Sequence, residues 1–274
     1  MHLRSTLNVS GGTLFYRHTE IDSHKPTLFC LHGLGDSGTV FLEAFQETRL
    51  EAFNILAPDL LGYGESTQAS DDDYCFYKQI TRLYQLLDHL RITKFILIGH
   101  SMGGDIGTLM CAHDVQNRIL AFVNIEGDLS QGDRFITDQA LAAEKTGTFE
   151  FWLRHSFTDE IVPHILNNFD QTCRRYQASL RLCQTHAFLQ NAKEIYALNE
   201  DQPPHQHGII ASIFDSLPTR KTFFWASGSL SKQSQKYLDD KPYSHTPPFE
   251  YASHWIMHDN RMQFYDDLLQ FLQD

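Results

Sequence analysis

The chain has 274 residues, 42% of them hydrophobic and 20% charged, which is enough for one large core or two small ones. Lys and Arg number 22 against 34 Asp and Glu, a net charge of −12. With no basic run to interrupt that balance, neither nucleic acid nor an anionic membrane surface is an expected partner. The five cysteines, Cys30, Cys75, Cys111, Cys173 and Cys183, are scattered and never form a Cys-x-x-Cys pair, the pattern of reduced thiols in a cytoplasmic protein without a zinc framework. Residues 1–8 lack the apolar stretch of a targeting signal, and no later run is long enough to span a bilayer, so neither element is expected.

Short apolar runs alternate with helical patterns, which points to a parallel sheet covered on both faces. Residues 6–9 and 13–19 flank Gly11-Gly12 and read as a hairpin. Thr27–Leu31 and Asn54–Pro58 read as buried strands whose loops leave the same edge, the first into His32-Gly33 and the second into Asp59. Residues 77–90 carry Ile80, Leu83, Tyr84, Leu87 and Leu90 at helical spacing. Asp71-Asp72-Asp73 stands ahead of them and suits a helix N-terminus better than a metal. Ile119–Ile125 is a sixth strand, residues 221–226 a seventh and residues 249–251 a candidate eighth. Between them, residues 129–217 show amphipathic segments without a strand pattern. Residues 260–272 form a closing helix with Met262, Tyr265, Leu268, Leu269 and Leu272 on its buried side.

The stretch richest in chemistry is Lys94-Phe95-Ile96-Leu97-Ile98-Gly99-His100-Ser101-Met102-Gly103-Gly104, an apolar strand that runs into a Gly-flanked serine and then into a helical pattern over residues 105–112. In so tight a strand-to-helix turn, Gly99 and Gly103 let the backbone close while Ser101 points outward. The N–H groups of the following helix would lie beside a developing oxyanion.

Four motifs in order carry a resemblance to the α/β-hydrolase superfamily, in the branch with a helical cap. They are Leu31-His32-Gly33-Leu34-Gly35, Pro58-Asp59-Leu60-Leu61-Gly62-Tyr63-Gly64-Glu65-Ser66, Gly99-His100-Ser101-Met102-Gly103-Gly104 and Ser253-His254-Trp255. The resemblance implies a mostly parallel, eight-stranded sheet with helices on both faces, a core of residues 1–128 and 218–274, and a cap of residues 129–217 inserted in it. It makes Ser101 the nucleophile, the backbone N–H groups of Leu34 and Met102 the oxyanion hole, and His254 the general base. His258 is the second candidate for the base. His32 and His100 are expected to be structural, and His205 and His207 lack metal-ligand spacing.

The resembling family departs from this sequence at the acid. In most members an Asp follows the seventh strand in a Gly-x-x-Asp string; here the string is Gly228-Ser229-Leu230-Ser231, and the next carboxylates are Asp239 and Asp240. Certain haloalkane dehalogenases take the acid from the end of the sixth strand, which here reads Asn124-Ile125-Glu126-Gly127-Asp128. Glu126 matches their acid, with Asp128 as the alternative; a purely structural Glu126, pinning the entry loop of the cap, is the competing reading.

A serine nucleophile excludes the alkyl-enzyme chemistry that an Asp at the elbow performs, and leaves acyl substrates: esters foremost, then thioesters, lactones, amides or carbon–carbon bonds beside a carbonyl. The expected partner is thus a small-molecule acyl substrate, with no cofactor and no metal; oligomeric state is not indicated. A ligand-sensing protein on the same scaffold is the reading from another class, motivated by the missing acid. Within enzymes, a carbon–carbon hydrolase and an aminopeptidase remain open. In the cap, Phe149, Phe151, Trp152, Leu153, Ile161, Ile165 and Phe169 either line a pocket above Ser101 or pack the cap onto the core, the second being the duty expected of most. Arg174 and Arg175 either bind a substrate carboxylate or occupy an exposed helical face.

Overall fold

The computed structural model describes residues 2–70, 73–202, 207–239 and 241–273. Seven strands form one sheet in the order β1-β2-β4-β3-β5-β6-β7. The hairpin β1 (Leu3–Val9) and β2 (Gly12–His18) is antiparallel, and β2 joins β4 (Asn54–Pro58) antiparallel as well. The remaining neighbours, β4 with β3 (Thr27–Leu31), β3 with β5 (Phe95–His100), β5 with β6 (Ile119–Ile125) and β6 with β7 (Arg220–Phe224), are all parallel. Every residue of β3, β4 and β5 is buried, which is why their sequences are apolar throughout instead of alternating.

The eighth strand is not formed. The segment meets β7 at two isolated parallel bridges, Phe223 with Ser244 and Ala226 with Phe249. Five residues of one chain thus advance against three of the other, and Pro247 and Pro248, which lack N–H groups, occupy the excess. A continuous ladder cannot cross them.

Helix α1 (Phe76–His89) matches the expected apolar face, but its N-terminus is capped differently. Asp71 and Asp72 lie outside the described residues. Asp73 Oδ1 accepts from Cys75 N at 3.1 Å, and the Phe76 N–H is taken by both carboxylate oxygens of Glu194, each at 3.0 Å. Helix α2 (Met102–Ala112) begins immediately after Ser101 and is buried along almost its whole length. Over the carboxyl ends of the strands come α3 (Phe135–Lys145), then α4 (Phe149–Phe151), which continues through a π-helical stretch (Trp152–Ile161) into α5 (Val162–Ile165). Helices α6 (Asp170–Leu182) and α7 (Thr185–Leu198) follow. Helix α8 (Ile209–Ser216) packs on the sheet, where Phe214 meets Phe122 of β6 and Phe223 of β7 at ring separations of 5.6 and 5.9 Å. Helices α9 (Lys232–Leu238), α10 (Ile256–Asp259) and α11 (Arg261–Gln273) complete the chain.

Among the described residues, no helix is long and apolar enough to cross a membrane. All five cysteines are free thiols.

Candidate active site

The strand order reverses between β3 and β5, since the chain goes from β3 outward to β4 on one side and returns to β5 on the other. Loops leaving such a switch point diverge and leave a crevice at the carboxyl edge of the sheet. The His32-Gly33 turn, Ser101 and Glu126 all stand at that edge, following β3, β5 and β6.

Ser101 has φ 54° and ψ −123°, a conformation costly for a residue with a side chain. It is held by the Ser101 N–H to Ile125 O bond of 2.8 Å and by the Gly104 N–H to Ser101 O bond of 2.6 Å. Closure of the turn depends on the expected glycines. A Cβ on Gly99 would stand 2.2 Å from Gly103 O, and one on Gly103 would stand 2.2 Å from Leu31 O. Glu126 also has positive φ, 59°.

Glu126 is fully buried. Its Oε2 lies 3.3 Å from His254 Nδ1, while Oε1 accepts from the Ala226 N–H and, at 2.6 Å, from Ser229 Oγ. The Gly228-Ser229-Leu230-Ser231 string therefore supplies a hydroxyl that donates to Glu126. Ser231 of the same string caps α9, accepting from Ser234 N at 3.2 Å. Neither role was visible in the sequence, because the partner of each lies far away in the chain or in a helix too short to predict.

His254 is partly exposed and reaches the same cavity as Ser101. His258, the second candidate for the base, is turned away from it: Nδ1 lies 3.1 Å from Glu43 Oε2 and 3.0 Å from Arg175 Nη1. Burial and then the charge of His254 hold His100 well below the ordinary histidine range. The neutral ring donates Nε2–H to the His254 carbonyl at 3.0 Å. Burial likewise lowers His32, whose Nε2 accepts from Leu60 N at 3.0 Å. Both rings are thus hydrogen-bonded to main chain beside Ser101. His205 and Asp240 lie outside the described residues; His207 bonds Ser212 and packs against Tyr237 with the rings tilted, and Asp239 ends α9. No cluster of three potential metal ligands occurs among the described residues.

A cavity of about 440 Å³ sits above Ser101, within the range of small-molecule sites. Leu34, Ile165 and Phe169 contribute to its wall, and so do Asp128, Ser229 and His254. The other aromatic and aliphatic candidates pack instead: Phe149, Trp152 and Leu153 are buried, Ile161 lies against the core, and Phe151 is exposed. Met102, expected beside Leu34 in the lining, does not line the cavity: it is buried, with its sulfur 4.0 Å from the Tyr63 hydroxyl. Neither arginine lines the cavity. Arg174 is exposed, and Arg175 turns inward to Glu43 and His258.

Helix α6 therefore holds the two loops that frame the cavity. Tyr176 OH donates to Leu34 O at 2.9 Å, and Thr172 Oγ1 to Asp259 Oδ1 at 2.6 Å. Trp255 packs on Tyr176 at 4.6 Å and donates its indole N–H to Asp36 at 2.9 Å. Burial alone would raise the Glu43 carboxyl, but bonds and charges from His258 and Arg175 outweigh it and bring it from an ordinary 4.5 to about 2. A carboxyl depressed on folding stabilises the native state fully above its unfolded value and loses that effect as pH falls toward the native one. The stability difference between wild type and Glu43→Gln in urea is thus expected to be greatest at neutral pH, about 3 kcal/mol at most, and to shrink steadily below pH 4.5. A difference that is constant from pH 7 to pH 3 would remove this account of the cluster.

These elements define an α/β sheet with a Gly-flanked serine at its switch point. The chain matches the α/β hydrolase fold family over residues 26–270 and belongs to it. It is 32% identical over 113 residues to Lipase 1 of Psychrobacter immobilis, a match covering 41% of this chain and 35% of that one. The chain spans about a third of the length of the curated relatives it matches. Among solved structures, a hydrolase from Pseudomonas aeruginosa superposes with TM-score 0.75 at 17% identity over 99% of this chain and 98% of its own. The enol-lactonase of Burkholderia xenovorans does so with TM-score 0.74 at 16% identity over 98% of this chain and 100% of its own. At that identity the structural likeness shows the fold alone.

Proposed function

We propose that the protein hydrolyses a small or medium acyl substrate, a carboxylic ester foremost, through an acyl-enzyme on Ser101. The observation that carries this reading is the His254 Nδ1 to Glu126 Oε2 contact of 3.3 Å beside a cavity that Ser101 and His254 share. With Nδ1–H directed at Glu126, His254 Nε2 is the free base. It takes the proton of Ser101 as Oγ attacks the carbonyl and returns it to the leaving group; water then deacylates the enzyme by the same route. The Leu34 and Met102 N–H groups receive the oxyanion. Met102 is the first residue of α2, where N–H groups have no partner within the helix. The cap of residues 129–217 closes the site from above. Lipases and lactonases among the relatives are in keeping with this chemistry.

The ligand-sensing alternative rests on the acid missing after the seventh strand, and the contact of Glu126 with His254 weighs against it. A fluorophosphonate probe should label the wild type at Ser101, and p-nitrophenyl esters of short acids should be hydrolysed. Both signals should vanish in Ser101→Ala. A protein that neither labels nor turns over any ester, thioester or lactone in such a screen would refute the proposal.

A further inference from the structure

Three aspartates, Asp36, Asp128 and Asp133, line the cavity, and neither Lys nor Arg occurs among the described residues that do. Two of the three carboxylates are committed. Asp36 accepts from Trp255 Nε1 at 2.9 Å and Ser37 N at 2.8 Å. Asp133 accepts from Leu129 N, Ser130 N and Ser231 N at 3.1, 3.2 and 2.9 Å, tying the entry of the cap to the start of α9. Asp128 makes no hydrogen bond among the described residues and is left facing the space that a substrate fills.

Behind it stands Asp105, in the first turn of α2, 1% exposed and with neither carboxylate oxygen hydrogen-bonded. Burial and then Asp133 push this carboxyl well above the usual range. Burial, followed by Asp105, Asp133 and Glu126, does the same to Asp128, against the weaker opposition of Arg134. Buried acceptors without donors are costly. A cation entering the cavity would be the counter-charge that favours ionisation of Asp128 and is bound by it, whereas a carboxylate would disfavour that ionisation further and find no partner.

We propose that Asp128 contacts the substrate and makes the cavity selective for acyl substrates that carry an ammonium group away from the scissile bond, over those that carry a carboxylate there. This rests on the hydrolytic reading of Ser101 and adds a substrate class to it. Asp128 is then a specificity residue, and Glu126 alone serves His254.

A matched set of thioesters tests this. Acetylthiocholine, 3,3-dimethylbutyl thioacetate and S-acetyl-3-mercaptopropionate share the acetyl group and differ in the charge of the leaving thiol; p-nitrophenyl butyrate and hemisuccinate make the same comparison on the acyl side. Wild type should favour the cationic over the anionic thioester in kcat/KM by about tenfold or more, chiefly through KM, or disfavour the hemisuccinate to a similar degree. Asp128→Asn should flatten the preference and Asp128→Lys should invert it. Equal kcat/KM across charges in wild type overturns the proposal without any variant. So does a preference that survives both substitutions. A loss in Asp128→Asn that is uniform across all substrates would instead make Asp128 the partner of His254. Calorimetric binding of the same compounds to Ser101→Ala ranks charge without turnover, so that a failure of hydrolysis and a failure of charge selection are read separately.

Discussion

Glu126→Gln is expected to lower kcat on a p-nitrophenyl ester by about 10³–10⁴-fold with little change in KM, the size of effect found when a triad acid becomes an amide. The reason lies in how the side chain is already held. Oε1 accepts from the Ala226 N–H and the Ser229 hydroxyl, and a carboxamide can satisfy both only with its oxygen. That orientation leaves the NH₂ facing His254 Nδ1, in place of the carboxylate oxygen now 3.3 Å away. Nδ1 then becomes the acceptor, the ring proton moves to Nε2, and the base that Ser101 needs is lost. Asp128→Asn lacks this consequence, because the hydrogen bond of His254 Nδ1 among the described residues is to Glu126 and not to Asp128. Activity of Glu126→Gln within about threefold of wild type would sink the assignment of Glu126.

Gly103→Ala is expected to destabilise the fold by about 3 kcal/mol or more, or to prevent its accumulation. The added carbon would sit 2.2 Å from Leu31 O and 2.9 Å from His32 O. These are backbone atoms at the end of β3, so a side-chain rotation offers no relief. Moving them apart would strain the β3 to β5 pairing, in which Leu31 lies opposite Gly99, and would shift the Leu34 loop as well. Gly228→Ala is the matched control, since nothing lies within 4 Å of the added carbon; it should change stability by no more than about 0.5 kcal/mol. Chemical denaturation of the two variants makes the comparison. Equal midpoints would show that the turn tolerates a side chain.

The central strands and the elbow were legible from sequence because their signals are local. A run such as Phe95–His100 that is buried on both faces must be apolar at every position, and a strand-to-helix turn of this tightness admits only glycine at Gly99 and Gly103. Residues 249–251 carry a strand composition, yet whether they join the sheet is decided by Pro247 and Pro248 just ahead of them. Glu194 at the start of α1 was invisible in the same way, since it comes from a helix more than a hundred residues later and replaces a local cap. Arg175 illustrates the converse. As one of two adjacent cations on an amphipathic helix it suited an exposed face better than a substrate carboxylate, and only its neighbours Glu43 and His258 show that it turns inward.

The sequence by itself determined the fold class, the order of the motifs, and the candidates Ser101, His254 and Glu126, because each is marked by its immediate neighbours along the chain. Only the tertiary structure decided which carboxylate meets His254, which histidine is turned away, and that the acidic wall includes a free Asp128. Those outcomes depend on distances between strand ends, and on which acceptors are left without donors once the chain has closed on itself.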